Sequence, residues 1–176
     1  MSIQKEIECQ PTINLGFSKT SPIHVLHVDD DPSLLEISKL ILLDLDSRFE
    51  IDCACCVDEA FKKLAAGHYD VVISDFEMPK KNGLEFLSQL REENNELPFI
   101  LFTGKGREEV ALKALNLGAD AYLNKQGNPE TVYGELLQYI LRSLARKKTE
   151  EIIQTQNMIL TGLPKSSNSR RKLGEK

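Results

Sequence analysis

Five short apolar runs, alternating with five segments of helical period, constrain this chain more than any other feature. The runs lie at residues 24–28 (HVLHV), 51–55 (IDCAC), 70–74 (DVVIS), 99–102 (FILF) and 121–123 (AYL). Continuous or nearly continuous apolar stretches of this length suit strands buried on both faces. The helical segments begin at Pro32 and at residues 58, 84 and 107, and the last begins near Pro129. In the first of them Leu34, Leu35, Ile37, Ile41 and Leu42 fall on one stripe. Strict strand–helix alternation requires a parallel sheet with helices on both faces. In such sheets the chemistry gathers at the carboxyl ends of the strands. Those ends read Asp29-Asp30-Asp31, then Asp75, then Thr103, then Lys125.

Turn and cap residues set the boundaries. Pro32 and Ser33 open the first helix, acids begin the second, and Gly67 is placed to stop it. Met78, Pro79, Asn82 and Gly83 mark a loop over 76–83, Gly104, Lys105 and Gly106 a mobile turn, and Gly118 a cap. Asn128 is expected to N-cap the last helix, with Pro129 in its first turn. Its signal runs through Leu136, Leu137, Ile140, Leu141 and Leu144 to Ile152, Ile153 and Ile159, until Gly162 and Pro164 end it. The chain thus divides into a flexible leader (1–22), a globular unit (23–147), a helical extension (148–161) and a disordered basic tail (162–176).

Hydrophobic residues at 41% and charged residues at 28% are those of a soluble globular domain able to bury a core without disulfides. No apolar run approaches the roughly 20 residues of a membrane span. The leader has no apolar core of the secretory kind, so a cytoplasmic protein is expected. A net charge of −5 argues against general nucleic-acid binding. Cys53 and Cys56 form a C-x-x-C, but no second ligand pair accompanies them and His24, His27 and His68 are scattered. With Cys55 they are expected to be buried, reduced thiols packing as small apolar residues.

Carboxylates from the first and third strand ends would converge if those strands are neighbours. Gathering like charges is costly unless a cation neutralises them. Hard oxygen ligands in an open cluster suit magnesium, which keeps several waters and shares phosphate oxygens. A carboxylate held ionised by that cation and by Lys125 is then a nucleophile toward phosphorus, with Thr103 as a hydroxyl donor.

The segments HVDDDPSLL, SDFEMPKKNG, LFTG and AYLNK, in this order and near these spacings, resemble response-regulator receiver domains over about residues 23–147. The D-x-x-M-P-x-x-x-G after the third strand is the most specific part. The resemblance implies a flavodoxin-like, doubly wound α/β fold with a five-stranded parallel sheet of order 2-1-3-4-5 and five helices, the last extended. It also implies that Asp75 accepts a phosphoryl group from a sensor histidine kinase. Asp29 and Asp30 become the acidic pair, Asp30 binding Mg2+ directly and Asp29 through water, with Asp75 and the Glu77 carbonyl as further ligands. Thr103 and Lys125 would hold the phosphoryl oxygens, Tyr122 would turn inward when Thr103 moves, and Gly83 would make a tight turn. Asp31 receives no metal role. Glu77 and Lys105 would flank the path of attacking water and set the phosphoryl lifetime. The family usually has proline after the lysine, and here Gln126 stands there, which bears on the lysine loop. The phrase TGKGREEVALKALNLGADAYLNK resembles archaeal receivers more than bacterial ones.

Other readings use the same residues. Asp29 and Asp31 form a D-x-D, which with the strand-end threonine resembles haloacid-dehalogenase-type phosphatases, although those place their last acidic motif after the lysine. A receiver that binds partners without phosphorylation is a third reading. Gly104 and Gly106 do not fit the phosphate-loop spacing. The 29 residues past Lys147 are too few for a DNA-binding domain. The expected output is therefore docking on an unknown downstream protein, or a homodimer, through the fourth and fifth helices, with no direct DNA or membrane binding. Lys147, Lys148 and Glu151 interrupt a heptad counted on from Leu144, against a long coiled coil.

Overall fold

The computed structural model describes residues 21–104 and 108–161. Residues 1–20, the basic tail and Lys105, Gly106 and Arg107 lie outside them. The elements alternate as β1 (Ile23–Val28), α1 (Pro32–Leu45), β2 (Phe49–Ala54), α2 (Val57–Ala66), β3 (Val71–Ser74), α3 (Gly83–Glu92), β4 (Phe99–Thr103), α4 (Glu108–Asn116), β5 (Ala121–Asn124) and α5 (Pro129–Thr161). All neighbouring strands are parallel and the order is β2-β1-β3-β4-β5, as the resemblance implied. The chain starts at the middle of the sheet, winds to one edge, then crosses back. That reversal leaves a crevice beyond the ends of β1 and β3.

Side-chain alternation builds one core on each face. Leu26, Val28, Val72, Phe99 and Leu101 meet α2, α3 and α4 through Ala60, Phe86 and Ala114. Val25, Val71, Ile73, Ile100 and Phe102 meet α1 and α5 through Leu42, Leu136 and Ile140. Strands apolar at successive positions are thus strands covered on both sides. On the second face the Tyr133 and Ser38 hydroxyls share a buried hydrogen bond of 2.6 Å, tying α5 to α1.

Local signals fix the helix starts. The Asp31 carboxylate accepts from the Ser33 and Leu34 amides and caps α1, leaving Pro32 in the first turn. Asn82 and Glu85 form a reciprocal capping box at the start of α3. Asn128 accepts from the Glu130 amide at the start of α5. Two expectations need correction. β2 begins two residues earlier than the apolar run, because Phe49 pairs with Ile23. It also ends at Ala54, so Cys55 stands exposed in the following loop while Cys53 and Cys56 are half-buried; all three are free thiols.

Candidate functional site

The parallel register carries the strand-end residues to one edge. Val28 pairs with Ser74, so the next residues, Asp29 and Asp75, emerge side by side, and the Asp75 amide donates to the Val28 carbonyl at 2.8 Å. Thr103 pairs with Asn124, and the Lys125 amide donates to the Thr103 carbonyl at 2.8 Å. Three of the predicted site residues meet directly. The Lys125 ammonium bonds Asp29 Oδ2 and lies 2.7 Å from Asp75 Oδ1. Asp29 is 2% exposed and Asp75 6%. The Lys125 stem lies beside the Phe102 ring, with Nζ 5.6 Å from its centroid, and an aromatic face favours a cation there. One ammonium thus serves two buried carboxylates, and the pocket keeps an excess of negative charge.

The second oxygen of Asp75 is also engaged. Oδ2 accepts from the Glu77 amide at 2.6 Å, which holds the carboxylate in place against the loop after β3. Asp29 Oδ1 accepts from the Asp31 amide at 2.9 Å in the same manner. Asp30, between them, is exposed, as is Glu77. Thr103 is buried at the end of β4, and Tyr122 is half-buried against the α2–α3–α4 core. Lys105 lies outside the described residues.

Among the described residues no three carboxylate, imidazole or thiol side chains gather tightly enough to cage a metal. Lys125 lies between Asp29 and Asp75, and Asp30 is exposed beside them. The donor set still fits magnesium, which needs only one or two protein carboxylates and completes its octahedron with carbonyl and water oxygens. Asp29, Asp30, Asp75 and the Glu77 carbonyl are all hard oxygen donors, and their charge exceeds what Lys125 neutralises.

Four residues escaped the sequence reading in whole or part. Gly83 opens α3, where a Cβ would sit 2.3 Å from the Asp75 carbonyl oxygen and 2.7 Å from Leu101 Cδ1. Glycine is required because the helix start presses on the acceptor's own backbone. The Ser74 hydroxyl donates to that same carbonyl at 2.8 Å. Gln126 has a role of its own: its side-chain amide donates to the Gly104 carbonyl at 2.9 Å, joining the lysine loop to the threonine loop. His27, fully buried on β1 with neither ring nitrogen bonded, was read only as one of three scattered histidines.

Comparison with known proteins agrees with this architecture. The response regulator receiver domain model matches residues 25–137. Response regulator Rre1 of Synechocystis is 33% identical over 129 residues, covering 72% of this chain and 53% of that protein. A CheY-like receiver domain protein from Methanospirillum hungatei has a solved structure with TM-score 0.63 and 28% identity, covering 74% of this chain and 99% of that one. Response regulator TrrA of Thermotoga maritima, solved in complex with Mg(2+)-BeF, gives TM-score 0.57 and 32% identity over 66% of this chain and 98% of that one. The chain belongs to the response regulator receiver domain family. Receivers of this CheY-like kind are phosphorylation-dependent signalling domains and are not classed as independent enzymes. The chain spans about half the length of the curated relatives it matches. No helix among the described residues is long and apolar enough to cross a membrane.

Proposed function

We propose that Asp75 accepts a phosphoryl group from a phosphohistidine of a sensor kinase, in a Mg2+-dependent reaction, and that the change alters a partner-binding face. The observation that carries this is the Asp29–Lys125–Asp75 cluster at the carboxyl edge of the sheet. A carboxylate oxygen of Asp75 attacks phosphorus, the new O–P bond forms as the N–P bond breaks, and the electron pair leaves with the imidazole. Lys125 bonds Asp75 beforehand and pairs with the phosphoryl oxygens afterwards, with Thr103 donating its hydroxyl. Asp30, Asp75 and the Glu77 carbonyl would hold the ion directly and Asp29 through water; bound there, it neutralises phosphoryl charge. Tyr122 follows Thr103 inward as the switch. The downstream protein docks on α4 and α5.

The test is incubation with Mg2+ and a small phosphodonor, followed by intact-mass measurement of wild type and Asp75→Asn. Wild type should gain one phosphoryl group, the variant none, and chelation should abolish the gain. An equal gain in both proteins, or none in wild type, overturns the proposal. Continued turnover of a phosphomonoester would favour an aspartyl phosphatase instead.

A further inference from the structure

We propose that the α5 extension is a self-association surface, on which a second copy of this chain lies parallel and in register. Independently of the phosphoryl chemistry, the extension poses a physical problem. Val132, Leu136, Ile140 and Leu144 are the last residues of α5 buried on the receiver, yet the helix continues to Thr161. Every residue from Thr149 to Leu160 is exposed, among them Ile152, Ile153 and Met158, with Ile159 at 77% and Leu160 at 83%. A helix of that length without tertiary contacts is marginal in water, and these side chains add uncovered apolar surface.

The spacing identifies the occupant. Counted on from the core face of α5, charges do interrupt the pattern at Lys147, Lys148 and Glu151. A different line along the helix does not meet them. Ala145, Ile152 and Ile159 stand seven residues apart, and Thr149 and Gln156 fill the places between in 4-3 alternation. Ile153 and Leu160 flank this seam on one side and Lys148 on the other, while Lys147, Glu150 and Glu151 point away.

The two polar residues within the seam suit a copy of themselves. The Thr149 hydroxyl donates to the Ala145 carbonyl at 2.9 Å within its own helix and so presents its methyl across the axis. The Gln156 amide both donates and accepts and can bond its own copy across a two-fold axis. A parallel pair therefore satisfies every layer: Ala145, Thr149, Ile152, Gln156 and Ile159 each meet themselves. An antiparallel pair would set Gln156 against Ala145, leaving its amide against a methyl. A lipid surface would have to take Gln156 into its apolar phase. Arg142, the next position toward the receiver, would face its own copy, so the seam ends at Ala145 and the two receivers splay apart.

The test is sedimentation equilibrium of the full chain, unphosphorylated, over a wide concentration range. Wild type should reach the mass of two chains. Gln156→Lys and Gln156→Glu should each stay monomeric through like-charge contact, and mixing them should restore the dimer. Far-ultraviolet ellipticity should fall in each variant alone and recover in the mixture, while phosphoryl gain from a small donor confirms that the receiver is folded. A wild type that stays monomeric throughout overturns the proposal. So do variants that dimerise alone as well as wild type, or a mixture that stays monomeric.

Discussion

His27 makes the stability of this domain depend on pH in a way one substitution can isolate. The ring sits on β1 between Cys53 of β2 and Ile73 of β3, fully buried, with neither nitrogen hydrogen-bonded. Burial, aided by repulsion from Lys125, lowers its pKa from 6.5 to about 3. The folded protein therefore keeps this ring neutral where the unfolded chain already binds a proton. The stability it withholds is nil above the unfolded value and grows as pH falls from 6.5 toward about 3. At about pH 5 the two constants give a loss of about 2 kcal/mol relative to neutrality.

Urea unfolding of wild type and His27→Ile, in the presence of a chelator, reads this directly. Isoleucine is of similar volume and suits a buried strand. Every other ionisable group is common to the two proteins and cancels in the comparison. Between about pH 7.5 and about pH 5, wild type should lose about 2 kcal/mol more than the variant. An equal loss in the two proteins would show that the ring is hydrated or paired in solution, and the reasoning would fail.

Other substitutions separate structural from chemical roles at the pocket. Asp31→Ala should cost about 1 kcal/mol through the lost α1 cap, yet leave Mg2+-dependent phosphoryl gain intact by mass measurement; loss of that gain would make Asp31 a ligand. Gly83→Ala should cost about 3 kcal/mol in urea unfolding, because the backbone it meets cannot yield, and should slow phosphoryl gain at Asp75. Tyr133→Phe should cost about 1–3 kcal/mol by leaving the Ser38 hydroxyl buried and unbonded, with no change in phosphoryl gain. Lys105→Ala should hasten loss of phosphate from the labelled protein, and an unchanged decay would remove Lys105 from the lifetime role.

What was legible in the sequence was what strand burial and chain direction dictate. Apolar runs such as FILF can only be strands covered on both faces, and parallel strands must end on one edge. Asp29, Asp75, Thr103 and Lys125 were therefore placed together by topology before any distance was known. Less legible was anything set by a single contact between distant segments. The resemblance implies a tight turn at Gly83, but it does not disclose the contact that demands glycine, the Asp75 carbonyl oxygen 2.3 Å from where a Cβ would sit. Gln126 stands in the sequence as a departure from the family that bears on the lysine loop; its side-chain amide reaches the Gly104 carbonyl, a bond that no local pattern announces. Cys55 was misplaced because one residue decides whether a side chain belongs to an edge strand or to the loop beyond it.

The shared ammonium explains why such a pocket can act as a switch. Lys125 divides its charge between Asp29 and Asp75, so neither buried carboxylate is fully compensated. On the proposed chemistry, Asp75 exchanges one negative charge for a phosphoryl group carrying close to two at neutral pH. On that proposal the larger charge would draw Lys125 and the Thr103 hydroxyl toward the new oxygens and away from Asp29. The Lys125 amide is bonded to the Thr103 carbonyl and the Gln126 side chain to the Gly104 carbonyl, which ties the lysine end of β5 to the threonine end of β4. Gln126→Leu tests that coupling. Phosphoryl gain on Asp75 should persist, while amide exchange at Gly104 in the unphosphorylated protein should rise. Unchanged exchange would mean that the Gln126 bond does not restrain the threonine loop.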